Sequence, residues 1–252
     1  MKKRISTKYL YKTVIFFFLF VVIACSDTSK ADSEQTKEAK EEAPVSDWVA
    51  LFDGETLNGW KRYNATEIGD MWKVEDGMIV CYSEGGGEAT ENGGSLITVE
   101  QFDNFELSIE WKVSPGGNSG IMYHVVEGPE YNYAYVTGPE YQLLDDTGFP
   151  DVGDDQLVAA NYDMYTPAAD KPIKPAGEWN TARIIYDNSK VEHWLNGQKV
   201  LEFEEGSKDW KARYEKSKWK EYPAWCSYKK GAIALQDHGN YTWFRNIKIR
   251  RL

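Results

Sequence analysis

The chain has 252 residues, 40 of them Asp or Glu against 29 Lys or Arg, for a formal charge of −11. So acidic a balance repels polyanions and excludes nucleic-acid binding as the main role. Neither a Gly-rich phosphate loop nor a metal-type cysteine cluster is present, so nucleotide and zinc-module classes have no sequence support.

The N-terminus reads as a targeting segment. "MKKRISTKYLYK" is basic, and the apolar run "TVIFFFLFVVIA" is too short to span a bilayer but has the length of a signal-peptide core. "VIAC" matches a bacterial lipobox, so residues 1–24 are expected to be a lipoprotein signal peptide and Cys25 the lipidated new terminus. Several acyl chains give stable anchoring, placing the protein on the cell envelope, facing the periplasm or the outer-membrane surface. Residues 25–46 continue with an acidic, polar stretch that has no aromatic residue, the composition of a flexible linker. Residues 47–252, about 200 in number, suffice for one well-filled domain. Without the leader the basic count falls by five, so the mature chain is more acidic still.

From residue 47 onward the pattern is short strands separated by Gly, Asn, Asp and Pro turns. "NFELSIEWKV" alternates Leu107, Ile109, Trp111 and Val113 on one face with Glu106, Ser108, Glu110 and Lys112 on the other. "SGIMYHVVE", "EYQLLDD", "TARIIYD", "VEHWLNGQKVLEF", "GAIALQDHG" and "TWFRNIKIRRL" read likewise, and "NG" at 196–197 predicts a hairpin turn. The exception is residues 206–222, charged with aromatics at helical spacing, which predict a surface helix or long excursion. The class is all-β, and the spacing favours an antiparallel sandwich. Cys81 and Cys226 would share an oxidising compartment; a disulfide and two free buried thiols are both compatible with the sequence.

Seven segments carry a resemblance: "WVALFDGETLNGW", "GGNSGIMYHVVE", "GPEYQLLDD", "GEWNTARIIY", "VEHWLNG", "IALQDHG" and "FRNIKIRRL". In this order they resemble bacterial 3-keto-disaccharide hydrolase domains across nearly all of residues 48–252. The resemblance implies a concanavalin A-like jelly roll of two sheets with a sugar-holding concave face. It also implies action on glycosides whose glucose is oxidised at C3, and hence a partner oxidoreductase that supplies the ketone. Such a ketone acidifies the C2 proton, so elimination of the C1 substituent followed by hydration is open alongside direct hydrolysis.

Either route needs an acid and a base. Glu140 and His238 are the leading candidates, with Asp145 and His124 secondary. "EYQLLD" keeps the spacing of a carboxylate motif known in glycosidases of this fold, but Gln142 stands for one acid, and Asp145 reaches the face of Glu140 and Gln142 only through a β-bulge. His124 alternates onto the face of Met122. Gln142, Gln236 and Asn118 offer amides for sugar hydroxyls, Tyr133 is a cleft-wall candidate, and Glu110 and Lys112 are candidate sugar contacts. His193, Trp111 and Trp194 are read as packed, and Arg245 as paired to a carboxylate. A divalent cation is chemically compatible, with Glu140, Asp145 and the histidines as ligands, but no ligand spacing assigns one. A non-catalytic, lectin-like surface lipoprotein is the alternative, because the same fold serves binding modules; a purely structural surface protein is a third.

Overall fold

The computed structural model describes residues 47–83, 87–89 and 93–252. The expected leader, the lipidation expected at Cys25 and the expected linker lie outside the described residues.

Thirteen strands are described: β1 (Val49–Ala50), β2 (Trp60–Arg62), β3 (Trp72–Glu75), β4 (Met78–Tyr82), β5 (Leu96–Thr98), β6 (Phe105–Val113) and β7 (Asn118–Val125), then β8 (Glu140–Leu144), β9 (Asn180–Asp187), β10 (Lys190–Leu195), β11 (Gln198–Glu204), β12 (Ala232–Leu235) and β13 (Tyr241–Arg251). They form two antiparallel sheets, as expected of a jelly-roll sandwich. The larger runs β11-β10-β9-β6-β13-β4-β3, with β1 added on β13, and the smaller runs β2-β5-β12-β7-β8. Leu107, Ile109, Trp111 and Val113 of β6 are buried against Ile121 and Tyr123 of β7 and Tyr141 and Leu143 of β8 within one core cluster. Alternation thus leaves the other face of β7 and β8 free to build a site.

The hairpin at 196–197 forms with left-handed Asn196 and Gly197, the conformations that make Asn-Gly favourable there. His193 packs inward with Val191 and Leu195. The same alternation turns Trp194 outward, under the Arg183 guanidinium at 4.5 Å, so this tryptophan is not a core residue. Cys81 and Cys226 are both buried free thiols.

The excursion at 206–222 is helical only in part. Ser207 caps α1 (Lys208–Tyr214), its Oγ accepting from the Trp210 N–H at 3.1 Å. A 3-10 turn, Lys218–Glu221, follows. Its aromatics do not face water as a plain surface helix would require. Trp219 stacks on Trp225 at 4.8 Å, and Trp210 stacks on Trp225 at 5.8 Å, so the segment is clamped down beside the outer face of the small sheet.

Candidate active site

A cleft of about 380 Å³ opens on that outer face. Its floor is built by strand alternation: Glu140 and Gln142 from β8, Asn118 from β7, and Gln236 and His238 from the chain leaving β12. The Gln236 N–H bonds the Gly120 carbonyl at 2.9 Å, which holds this departing chain in line with β7. Tyr133 and Tyr135, stacked with ring centroids 5.2 Å apart, form part of the wall.

Gly120 makes room for Glu140. A Cβ at position 120 would sit 2.0 Å from Glu140 Oε1 and 2.7 Å from its carboxyl carbon. The carboxyl therefore lies flat over the neighbouring strand, where only glycine leaves space. Among the described residues no group donates a hydrogen bond to it. It is almost completely buried, and burial pushes its pKa from the ordinary 4.5 up to about 8, opposed by the Lys218 charge and reinforced by Glu88.

Strand pairing decides where Asp145 goes. The β7–β8 register runs unbroken from Met122 opposite Glu140 to Asn118 opposite Leu144. Without a bulge, Asp145 stays off the Glu140–Gln142 face, and it does not line the cleft. Its carboxylate instead ties loops together, accepting from the Gly116 N–H at 2.9 Å and the Thr147 hydroxyl at 2.7 Å. Burial raises its pKa, but these and the other local hydrogen bonds outweigh that, and the net shift is downward. This is a structural carboxylate, not an acid held ready to donate.

His124 is displaced by the opposite device. Between β7 and β12, Val125 pairs with Ala232 but Met122 pairs with Ala234, so β7 carries one extra residue there. His124 takes φ +54° in that bulge and turns away from the cleft face that alternation assigned it. Its ring packs edge-on against Tyr186 at 4.3 Å, and its Nε2 meets the Asp103 carbonyl at 2.8 Å. Glu110 and Lys112 also fall outside the cleft, because β6 belongs to the large sheet and both lie on its outer face. Glu110 accepts from Arg245 Nε and Asn246 Nδ2, each at 2.8 Å, and Lys112 lies over the Trp243 ring at 4.4 Å. His193 is interior, its Nδ1 2.9 Å from the Ala159 carbonyl.

Of the proposed site residues, the cleft therefore gathers Glu140, His238, Gln142, Gln236, Asn118 and Tyr133. His238 Nε2 lies 3.5 Å from Asn118 Nδ2. His238 is exposed while lining the cleft; partial desolvation by the surrounding protein lowers its imidazole pKa, aided by the Lys218 charge and opposed by its own backbone and Asp237. No donor among the described residues reaches Asn118 Oδ1 or Gln236 Oε1, both buried.

Glu88, Lys218, Tyr162 and Trp219 also line the cleft, and none of them was expected from the sequence. Lys218 extends from the 3-10 turn with its ammonium 4.3 Å from the Tyr162 ring centre and 4.5 Å from that of Trp219. Although Lys218 is exposed, partial desolvation beside these rings lowers its pKa, while Glu140 and Asp163 pull it back up. Glu88 sits on a 3-10 turn (Gly87–Ala89), where burial pushes its carboxyl up to about 7 against the Ser95 hydroxyl bond. Lys218 had no specific signal, being one of several lysines in the charged excursion. Glu88 had none, since it is one of three glutamates in a Gly-rich stretch with no strand or helix period.

The ligands expected for a cation are dispersed: Asp145 ties loops, His124 and His193 are interior, and only Glu140 and His238 remain at the cleft. Among the described residues no group of three or more His, Cys, Asp or Glu side chains is placed to hold a metal ion.

Residues 47–250 match the model of a family described as the 3-keto-alpha-glucoside-1,2-lyase-like domain. The chain belongs to this family. A 3-keto-disaccharide hydrolase of Bacteroides thetaiotaomicron is 36% identical over 275 aligned positions, spanning 92% of this chain and 94% of that protein. The crystal structure of a candidate glycosyl hydrolase from Parabacteroides distasonis is 40% identical with a TM-score of 0.73, covering 81% of this chain and 94% of the other. A second from the same organism is 26% identical with a TM-score of 0.61, covering 81% and 99%. The cleft residues of this family member lie within the matched span.

Proposed function

We propose that this protein cleaves glycosides, specifically those whose sugar ring carries a ketone at C3, by eliminating the C1 substituent and rehydrating the product. The observation that carries the reading is the Glu140 carboxyl, buried on a polar cleft floor and held toward its protonated form, in the same cleft as an imidazole held toward its neutral form. Environments that push two titratable groups apart in this sense assign the acid and the base. His238 takes the C2 proton. Glu140 keeps its proton and donates a hydrogen bond to the C3 oxygen as negative charge develops there, with the Lys218 cation adding electrostatic support. The enolate electrons then form the C1–C2 double bond and break the bond from C1 to the leaving oxygen. Water adds to C1, C2 regains its proton, and the net change is hydrolysis. Gln142, Gln236 and Asn118 orient the sugar hydroxyls, and Tyr133 supplies a wall.

Direct two-carboxylate hydrolysis is the rival, since Glu88 and Glu140 share the cleft. It requires one ionised carboxylate as nucleophile or base, whereas burial holds both toward neutrality. The lectin-like alternative needs no perturbed acid at all. The C3 ketone requires an oxidoreductase acting upstream, and a lipid on Cys25 would hold both steps at the cell envelope.

The deciding experiment is proton NMR of a 3-keto-glucoside incubated with the protein in deuterated water. Cleavage with deuterium entering at C2 supports elimination. Cleavage without it returns the reaction to direct hydrolysis. Line broadening of the sugar with no cleavage identifies a binding protein.

A further inference from the structure

The elimination above leaves one proton unassigned, the one taken up by the departing glycosidic oxygen. A second, smaller cavity of about 150 Å³ adjoins the cleft, and Glu88 and Tyr133 line both. Its other walls include Arg62, Asn132 and Ser95. The planar guanidinium fork of Arg62 suits neighbouring hydroxyls on a ring.

Glu88 is held where the two spaces meet. Its N–H bonds the Asp237 carbonyl at 3.1 Å, and the Ser95 hydroxyl donates to Oε1. Gly87 presses on the segment bearing His238: a Cβ there would lie 2.8 Å from the His238 carbonyl carbon and 2.9 Å from the Gly239 nitrogen. Asp237, fully buried, accepts from the Gly94 N–H at 3.2 Å and the Gly239 N–H at 3.1 Å, tying the two sides of this junction together. The acid and the base candidates are thus fixed to one another through backbone.

We infer that the Arg62–Ser95–Tyr133 cavity is the leaving-group subsite, shaped for a second, hydroxyl-bearing sugar, and that Glu88 protonates the departing oxygen. The inference rests on the elimination reading. As the bond from C1 to oxygen breaks, Glu88 gives its proton to that oxygen and becomes a carboxylate. When water adds to C1 the carboxylate takes a proton from it, while protonated His238 returns the first proton to C2. Glu88 ends as it began, and no other reactant is consumed. Burial that holds Glu88 near neutrality suits this exchange.

The test compares the full chain with its Glu88→Gln and Arg62→Ala variants on three substrates: a 3-keto-disaccharide, methyl 3-keto-α-glucoside and 4-nitrophenyl 3-keto-α-glucoside. Nitrophenolate leaves without a proton. Glu88→Gln should lose about 10²–10⁴-fold in kcat on the disaccharide and less than about tenfold on the nitrophenyl substrate, while still exchanging C2 hydrogen with solvent on both. Equal losses on both would overturn the role of Glu88, with thermal unfolding checking that the variant is folded. Arg62→Ala should raise KM for the disaccharide alone; an equal change for the methyl glycoside would overturn the subsite. Wild-type protein inert on all three would overturn the elimination reading, and this inference with it.

Discussion

Replacing Glu140 by Gln should make the protein more stable while destroying its activity. Glu140 is 5% exposed, and its carboxyl holds its proton in the fold up to about 8, whereas the ordinary value is 4.5. Between those two pH values the folded chain binds a proton that the unfolded chain releases, so stability falls as pH rises through this window. A tenfold step in proton binding is worth about 1.36 kcal/mol, so at pH 7 the penalty is on the order of 3 kcal/mol at most. Gln keeps the size of the side chain and removes the titration. Urea unfolding at pH 5, 7 and 8.5 should show the variant's advantage growing from near zero to that order. At roughly 2–4 °C per kcal/mol for a domain of this size, the gain in Tm at pH 7 is about 6–12 °C. A difference between variant and wild type that stays flat with pH would refute the reasoning, because it would mean the carboxyl is not desolvated by the fold. Such an exchange of stability for a reactive group is the usual expense of an active site.

The pH profile of kcat/KM should be bell-shaped: it falls on the acid side below 6.5 as His238 protonates, and on the alkaline side between about 7 and 8 as Glu88 and Glu140 lose their protons. A rate that instead rises through pH 8 would make Glu140 the base. Gly120→Ala drives a methyl group into the Glu140 carboxyl; we expect a stability cost of about 1–3 kcal/mol and a fall in kcat on the order of 10²-fold from misplacement, read by denaturation and steady-state kinetics. Asp145→Asn should cost about 1–3 kcal/mol through its lost loop bonds yet leave kcat within a few-fold. Because the folded-state pKa of Asp145 is depressed, its contribution is present above its ordinary 3.8 and disappears as pH drops below it. A loss of kcat as large as that of Glu140→Gln would return Asp145 to the chemistry.

Strands β6 to β13, most of their inward faces and the residues of the cleft floor follow from local residue pattern. Period-two alternation is local, so Glu140 with Gln142 and Gln236 with His238 were legible as pairs before any fold was known. Alternation also located Leu107, Ile109 and Trp111 in the core, and Asn-Gly placed the hairpin. Which sheet each polar face belongs to depends on how distant strands pair. Glu110 and Lys112 have the same local pattern as Glu140 and Gln142, yet they point from the opposite side of the sandwich. Pairing between strands decided phase as well: the unbroken β7–β8 register excluded Asp145, while one extra residue against β12 turned His124 inward. Glu88 and Lys218 reach the cleft from a Gly-rich turn and a charged excursion, far from the floor strands in sequence. Their roles exist only through long-range packing, which no local periodicity encodes.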